Sequence, residues 1–278
     1  MDASELTFPE DRLVSVQTGD GATLHVPLAG DGPLVLLAHG TLVSNGVMGP
    51  IARRLLADGF EVAGPDLRGH GHSTNGVEGL SIDRYARDLV GVLGALPQKP
   101  VVVVGHSAGG MGALAFAERY AAAADVVSLV LISTSPVGIA GWKERLAAPI
   151  LFNGMLERML DRPRTGRMFA RTLFARDPGI ETLEAVRRIM AGSTRVAKRS
   201  APRAVFDFDL TPDLGRVHMP VLVVHGQRDS SVRPSLAERL SNGLPDARAI
   251  VFPDAGHMVA LEQADAVARA IGDFARTT

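Results

Sequence analysis

A serine with a glycine two residues away on either side is the feature of this sequence best suited to chemistry. The segment Gly105-His106-Ser107-Ala108-Gly109 follows the apolar run Val101–Val104 and precedes a stretch of small apolar residues. A serine on a sharp strand-to-helix turn has a strained backbone, so the residues two positions away must be very small. The spacing therefore predicts a turn that presents the Ser107 hydroxyl as a nucleophile. A glycine-rich turn without chemistry is the alternative interpretation.

A serine nucleophile needs a base, and His257 is the candidate. It follows a short apolar run near the end of the chain and precedes the last predicted helix. Asp229 comes after the strand-like run Val221–Val224 and is the predicted carboxylate that orients the imidazole. Asp254 is the rival acid, but its position three residues before the histidine suits a role in shaping the loop. Because strand ends meet at one edge of a parallel sheet, we expect Ser107, Asp229 and His257 to converge there.

Attack by a serine on a carbonyl creates an oxyanion, which backbone N–H groups can stabilise. The amide of Ala108, directly after the nucleophile, is one predicted donor. The second donor is expected in the loop His39-Gly40-Thr41-Leu42, which follows the first apolar run and in which Gly40 allows a close approach of the backbone. We predict that this donor is the amide of Thr41, with Leu42 as the alternative.

The elements that must position these residues alternate between strands and helices. Four apolar runs without polar alternation predict buried strands of a parallel sheet: Leu34–Ala38, Val101–Val104, Val126–Ile132 and Val221–Val224. Helical patterns cover about residues 47–58, 82–96, 108–124 and 261–274, and an opening hairpin is predicted from Arg12–Gln17 and Ala22–Val26. The fold class is therefore α/β, with a mostly parallel sheet flanked by helices.

This alternation stops between residues 136 and 212, where the pattern is helical and is broken at Pro149, Pro163, Pro178 and Pro202. We interpret residues 136–212 as a helical cap inserted in a core domain formed by residues 1–135 and 213–278. The cap carries a net charge of +6 against −1 for the whole chain. Trp142 could line the cap entrance. Seven apolar cap residues are candidates for an acyl pocket or for ordinary core: Met155, Met159, Met168, Phe169, Leu173, Phe174 and Met190.

Composition excludes several classes of protein. The chain has no cysteine, so it can form no disulfide, thiolate nucleophile or thiolate metal site. A net charge of −1 provides no global basic field for nucleic acid. No run approaches the roughly 18 apolar residues of a membrane-spanning helix. The acidic first residues do not form a signal-peptide pattern, so a cytoplasmic protein is expected.

Taken together, these motifs resemble the α/β-hydrolase superfamily, specifically its esterase, lipase and monoacylglycerol-lipase-like members with a helical cap. The matching segments lie in the family's order across nearly the whole chain: His39-Gly40-Thr41, Pro65–Ser73, Gly105–Gly110, His225–Val232 and Gly256-His257. The order Ser107, Asp229, His257 is the one that this resemblance implies. It also implies that Pro65–Ser73 is a structural turn, so no metal site is expected at His70, His72 and Asp66.

Three departures from related families narrow the expected reaction. The serine at position 107 disfavours epoxide hydrolases and haloalkane dehalogenases, which have an aspartate there. The single glycine after His39 differs from the H-G-G-G form of another esterase branch. Ala108 replaces the methionine or glutamine often found after the nucleophile, which disfavours a cofactor-free haloperoxidase.

The sequence therefore predicts a serine hydrolase that cleaves small to medium apolar carboxylic esters through an acyl-enzyme, with monoacylglycerols as one candidate substrate. It predicts a small-molecule partner, no metal and no organic cofactor. A thioesterase, a carbon–carbon bond hydrolase or an acyltransferase could use the same triad. Outside enzymes, the alternative is a ligand-binding signalling protein with little turnover.

Overall fold

One eight-stranded sheet forms the centre of the protein. The computed structural model describes residues 3–97, 99–138, 154–206 and 208–278. Within these ranges the strands are β1 Arg12–Gln17, β2 Thr23–Ala29, β3 Leu34–Ala38, β4 Glu61–Ala63, β5 Val101–His106, β6 Val126–Ile132, β7 Val221–Gly226 and β8 Ala247–Phe252. They lie in the order β1-β2-β4-β3-β5-β6-β7-β8. The β1–β2 and β2–β4 pairs are antiparallel and every other neighbouring pair is parallel, which confirms the predicted fold class.

Helices cover both faces of the sheet. In the described ranges the α-helices are α1 Gly49–Ala57, α2 Ile82–Ala95, α3 Ala108–Arg119, α4 Leu156–Asp161, α5 Pro163–Arg171, α6 Ile180–Gly192, α7 Arg195–Ala204, α8 Pro234–Gly243, α9 Val259–Glu262 and α10 Ala264–Ala275. Alternate residues of β3 enter different cores. Leu34 and Leu36 pack in the cluster that contains α2 and α3, whereas Val35 and Leu37 pack in the cluster that contains α1 and α10. This two-sided burial explains why β3 is a continuous apolar run.

The strand register brings the carboxyl ends of the central strands together. Ala38 of β3 pairs with Gly105 of β5, and Gly105 pairs with Leu131 of β6. Ile132 of β6 pairs with Val224 of β7. The loops that follow β3, β5, β6 and β7 therefore leave the sheet at one edge, where a site can be assembled from distant parts of the chain.

Several predicted boundaries are wrong in detail. The second hairpin strand is Thr23–Ala29 rather than Ala22–Val26. The helix predicted over 108–124 ends at Arg119, and a separate 3-10 turn follows at Ala121–Ala123. Pro202 lies inside α7 rather than breaking a helix. Because a proline nitrogen carries no hydrogen, α7 lacks the hydrogen bond from residue 202 to the Lys198 carbonyl, and the helix ends two residues later, at Ala204.

Four helices, α4 to α7, lie between β6 and β7 in the residues that we call the inserted segment, 154–206. The chain on either side of this region meets in an isolated bridge between Val137 and Asp209. Pro149 and Trp142 lie outside the described residues. The division into a core domain, 1–135 and 213–278, and a cap, 136–212, stays an interpretation of this arrangement. In the ranges described, no helix has both the length and the apolarity to cross a bilayer.

Candidate active site

Ser107 lies on a strained turn between β5 and α3. Its backbone has φ 52° and ψ −118°, a region that residues with a side chain rarely adopt. The turn is held by bonds from both sides. The Ser107 amide donates to the Ile132 carbonyl at 2.9 Å, while the Ser107 carbonyl accepts from the Thr134 hydroxyl at 2.8 Å and from the Met111 amide at 3.0 Å. The end of β6 and the first turn of α3 therefore hold the strained conformation.

The glycines around Ser107 are required by close packing. A Cβ on Gly105 would lie 2.5 Å from the Cα of Gly110, and a Cβ on Gly109 would lie 2.4 Å from the carbonyl oxygen of His39. Neither position can accept a side chain without moving backbone. The spacing recognised in the sequence is thus a steric requirement of this turn.

Asp229 is the carboxylate that the structure brings to His257. Its Oδ2 lies 2.9 Å from Nδ1 of the imidazole, and its Oδ1 accepts the amides of Ser231 and Val232, each at 2.8 Å. Burial alone would raise the pKa of the Asp229 carboxyl, but the neighbouring His257 and the hydrogen bonds from His257 and Val232 hold that pKa below its ordinary value. Asp229 is therefore a carboxylate at neutral pH and accepts a hydrogen bond from the Nδ1–H group of His257.

Asp254, the rival acid, is engaged elsewhere. Its Oδ1 forms ion pairs with Arg176 at 3.0 Å and with Arg228 at 2.8 Å, and its side chain is 44% exposed. The carboxylate thus lies at the surface and pairs with two arginines rather than with His257. Asp254 ties the His257 loop to its neighbours, as its sequence position suggested.

The residue before the nucleophile also contacts the histidine. The Nε2 atom of His106 lies 3.0 Å from the backbone carbonyl oxygen of His257, and the two ring centroids are 5.0 Å apart. His106 is buried beside the turn, and its bond to His257 had no sequence signal. Contacts between residues this distant in the chain emerge only from the fold.

The loop after β3 closely approaches Ser107. A Cβ on Gly40 would lie 3.0 Å from the Cβ of Ser107 and 2.9 Å from Nδ1 of His106, so a glycine is needed there. Leu42 has φ 66°, which turns the loop sharply. Thr41 and Leu42 line the same cavity as Ser107. The roles of the Thr41 and Ala108 amides as oxyanion donors stay predictions.

The histidine-rich turn after β4 holds this loop and shows no metal-binding geometry. His39 donates from Nδ1 to the Gly40 carbonyl at 2.7 Å and accepts the Leu67 amide at Nε2. The Asp66 carboxylate accepts the backbone amides of Asn45 at 2.8 Å and of His72 at 2.9 Å. In the described part of the chain, no group of three or more histidine, aspartate or glutamate side chains is arranged to hold a metal ion.

A cavity of about 270 Å³ has both Ser107 and His257 in its wall. The inserted segment supplies most of its apolar lining, including Leu156, Met159, Phe169, Leu173, Met190 and Val205. Among the described residues that line it, none is a lysine, arginine, aspartate or glutamate. Three predicted pocket residues lie elsewhere: Met155 and Met168 are largely exposed, and Phe174 is buried outside the cavity wall.

Comparisons with known proteins extend over nearly the entire chain. Residues 35–270 match the model of a family described as the alpha/beta hydrolase family. A pimeloyl-[acyl-carrier protein] methyl ester esterase of Stenotrophomonas maltophilia is 30% identical over 272 residues, which cover 90% of this chain and 96% of the relative. A non-heme haloperoxidase of Rhodococcus erythropolis is 27% identical, over 91% of this chain and 95% of its own. The solved structure of an esterase from Exiguobacterium antarcticum superposes with a TM-score of 0.86 at 23% identity and covers 95% of this chain and 99% of that one.

Proposed function

The chain belongs to the alpha/beta hydrolase family and is a hydrolase of the esterase type, and we propose that it cleaves neutral carboxylic esters with small to medium apolar acyl groups. In this proposal the reaction proceeds through an acyl-enzyme on Ser107. The observation that carries it is the 2.9 Å bond between His257 and Asp229 beside a serine held in a strained turn. Ser107 and His257 share one apolar cavity, which is where an ester carbonyl would have to lie.

The proposed chemistry is two-step acyl transfer. Asp229 holds the proton of His257 on Nδ1, which leaves Nε2 free to remove the proton from the Ser107 hydroxyl as it attacks the carbonyl carbon. The amides of Thr41 and Ala108 stabilise the negative oxygen that forms. The tetrahedral intermediate collapses, and the alcohol leaves with the proton from His257. Water then repeats the sequence on the acyl-enzyme and releases the acid.

The cavity wall supports the choice of substrate. The described part of the lining is apolar and uncharged, which favours an aliphatic or aromatic acyl group, because an ionised group would lose its hydration without gaining a partner there. The volume of about 270 Å³ lies just below the usual range of small-molecule sites, about 300–1,000 Å³, which favours small to medium acyl chains. Monoacylglycerols are one candidate class within this range.

The test is the loss of turnover and of covalent labelling in Ser107→Ala. We expect hydrolysis of p-nitrophenyl butyrate to fall by roughly 10⁴-fold or more, because triad members act as a unit. A fluorophosphonate should label wild-type Ser107 and leave the variant unlabelled. Ser230→Ala, a serine on the loop beside Asp229, is the matched control and should keep both activity and labelling. Full turnover by a folded Ser107→Ala variant would overturn the proposal.

A haloperoxidase is the second candidate, because one relative bears that name at 27% identity. Halide oxidation by hydrogen peroxide and ester hydrolysis are measured on the same preparation, and we expect hydrolysis to dominate.

A chain-length series of esters and thioesters, with the products identified, separates ester hydrolysis from thioester hydrolysis, carbon–carbon cleavage and acyl transfer. A ligand-binding signalling protein would turn over little or none of any of these compounds. EDTA should leave activity unchanged, and a loss restored by a divalent metal would contradict the metal-free mechanism.

A further inference from the structure

One carboxylate joins the loop of His257 to the inserted segment. Glu262, the last residue of α9, accepts the amide of Gly256 at Oε2 with a distance of 2.6 Å. Its other oxygen, Oε1, accepts the amide of Ala175 at 2.8 Å and that of Arg176 at 3.4 Å. Gly256 immediately precedes His257, whereas Ala175 and Arg176 follow α5 in the inserted segment. The Glu262 side chain therefore bridges the His257 loop and the inserted segment.

The backbone on the other side of His257 is attached to the same part of the inserted segment. The Met258 amide donates to the Leu173 carbonyl at 3.0 Å. The two backbone segments are so close that a Cβ on Gly256 would lie 2.6 Å from the Ala175 nitrogen and 3.0 Å from the Leu173 oxygen. The residues before and after His257 are thus both fixed to residues 173–175.

This part of the inserted segment is also a wall of the substrate cavity. Leu173 lines the cavity together with Ser107 and His257. The contacts of Glu262 therefore join the base to the surface that an acyl group would touch. A carboxylate suits this position because it has two acceptor oxygens and no donor, and it faces peptide N–H groups on both sides.

We propose that Glu262 is a positioning residue, which holds His257 in the geometry needed for proton transfer by fixing its loop to the cavity wall. This inference rests on the proposed function, in which His257 is the base. Glu262 itself touches neither substrate nor the reacting atoms. Its effect passes through the Gly256 amide, and an error of about 1 Å in the position of a catalytic group can cost up to about 100-fold in rate.

The experiment compares Glu262→Gln with Arg176→Gln. The glutamine has nearly the same shape, but it replaces one acceptor oxygen with an N–H₂ donor that would face a peptide N–H. Arg176→Gln removes the exposed ion pair with Asp254, which joins the same two segments without touching the Gly256 amide. For p-nitrophenyl acetate we expect Glu262→Gln to lower kcat about tenfold with KM within about twofold. The Arg176→Gln control should keep both constants within about twofold.

The rate of Ser107 labelling by a fluorophosphonate is measured in parallel. It should fall with kcat in Glu262→Gln, because labelling also needs a correctly placed base. If Glu262→Gln fails to fold, Glu262→Asp keeps the charge but is one methylene too short to bridge both amides, and it should show the same loss of kcat. Unchanged kcat and labelling in a folded Glu262 variant, beside an active wild type, would overturn the positioning role alone. A wild type that shows neither turnover nor labelling would overturn the proposed function and this inference with it.

Discussion

The Nε2 atom of His106 donates a hydrogen bond to the carbonyl oxygen of His257 at 3.0 Å, so the residue next to Ser107 also holds the histidine loop. A carbonyl oxygen can only accept, so the proton must lie on Nε2. Burial lowers the pKa of His106 to about 4, and the ring is therefore neutral at neutral pH. This hydrogen bond fixes the turn that carries Ser107 to the loop that carries His257. It does not require the His106 ring to be protonated.

Replacing His106 tests whether this bond matters. His106→Met introduces an apolar side chain of similar length that has no donor, and we expect kcat for p-nitrophenyl butyrate to fall about tenfold. His106→Gln can place an amide N–H near the same carbonyl, so its loss should be under about threefold. Melting temperatures of both variants show whether the fold survives. Equal losses in the two variants would indicate that packing, rather than the hydrogen bond, is responsible.

The choice between the two carboxylates near His257 is tested by matched substitutions. Asp229→Asn should reduce kcat by about 10³-fold or more, because an amide cannot stabilise the imidazolium and favours the wrong tautomer. Asp254→Asn removes only surface ion pairs with Arg176 and Arg228, so kcat should change less than about threefold. Steady-state kinetics on one ester provides the comparison. A larger effect at Asp254 would show that the wrong acid was chosen.

The strands of the sheet could be predicted where they form buried apolar runs in the sequence. The bounds of β3 and β6 match the predicted runs, because strands buried on both faces are continuously apolar. The strand β4, Glu61–Ala63, had no such signal. Its Glu61 is buried and forms ion pairs with Arg12 and Lys99, two residues from distant parts of the chain. Whether a charged residue can be buried depends on its ion-pair partners. Because these partners are distant in the chain, the local sequence around Glu61 does not reveal the strand.

The candidate site also has residues that the sequence reveals and residues that it does not. Ser107 is recognised from the glycines that its own turn requires. Asp229 and His257 are recognised because each follows a strand-like run, in the chain order of the resembled family. Glu262 and Thr134 bind backbone groups that are close only after folding, so neither had a distinguishing pattern. Local sterics can be recognised in a sequence, whereas hydrogen bonds between separate loops require the arrangement of the elements.

Acid should weaken the fold through a buried ion-pair network around Asp20. The Asp20 carboxylate binds Arg68 at 2.8 Å and Arg84 at 2.9 Å, and Arg68 also binds Asp88 at 2.6 Å. The hydrogen bonds from Arg68 hold the pKa of Asp20 well below its ordinary value, against the effect of burial. A lowered carboxyl pKa stabilises the fold fully above the unfolded-state value of about 4, and the stabilisation is lost as the pH falls from there toward the folded-state value.

Urea unfolding of Asp20→Asn at pH 7, 5, 4 and 3 measures this effect. We expect the free energy of unfolding at pH 7 to fall by about 3 kcal/mol, because one partner of a buried pair is removed. Below pH 5 the variant should lose less further stability than the wild type, since the titrating group is absent. Asp273→Asn removes an exposed carboxyl and serves as the control, with the wild-type pH dependence. Parallel curves for the wild type and Asp20→Asn would contradict this account.

Two adjacent arginines of the inserted segment differ more than their sequence suggests. Arg187 and Arg188 are neighbours on one helix, α6, but only Arg188 is exposed. Arg187 is only 9% exposed, and its stem lies against Gly166, where an added Cβ would be 2.6 Å from its Cγ. It binds the Glu184 carboxylate at 2.7 Å and holds the pKa of that carboxyl down to about 2. The Arg188 side chain is 74% exposed and reaches the same carboxylate at 3.1 Å.

The pair allows a test of whether the positive charge of the cap recognises substrate. No charged side chain lines the described cavity wall, so neutral esters should be preferred over acidic esters of equal length. Arg188→Gln should change kcat/KM for a neutral ester less than about threefold, as expected for an exposed charge. Arg187→Gln should instead lower the free energy of unfolding by about 2 kcal/mol, because it removes charged hydrogen bonds that are partly buried. Both variants are assayed with p-nitrophenyl butyrate and an anionic hemisuccinate ester at low and high salt. A large loss in Arg188→Gln that is confined to the anionic ester and disappears at high salt would show that the exposed arginines form a recognition surface.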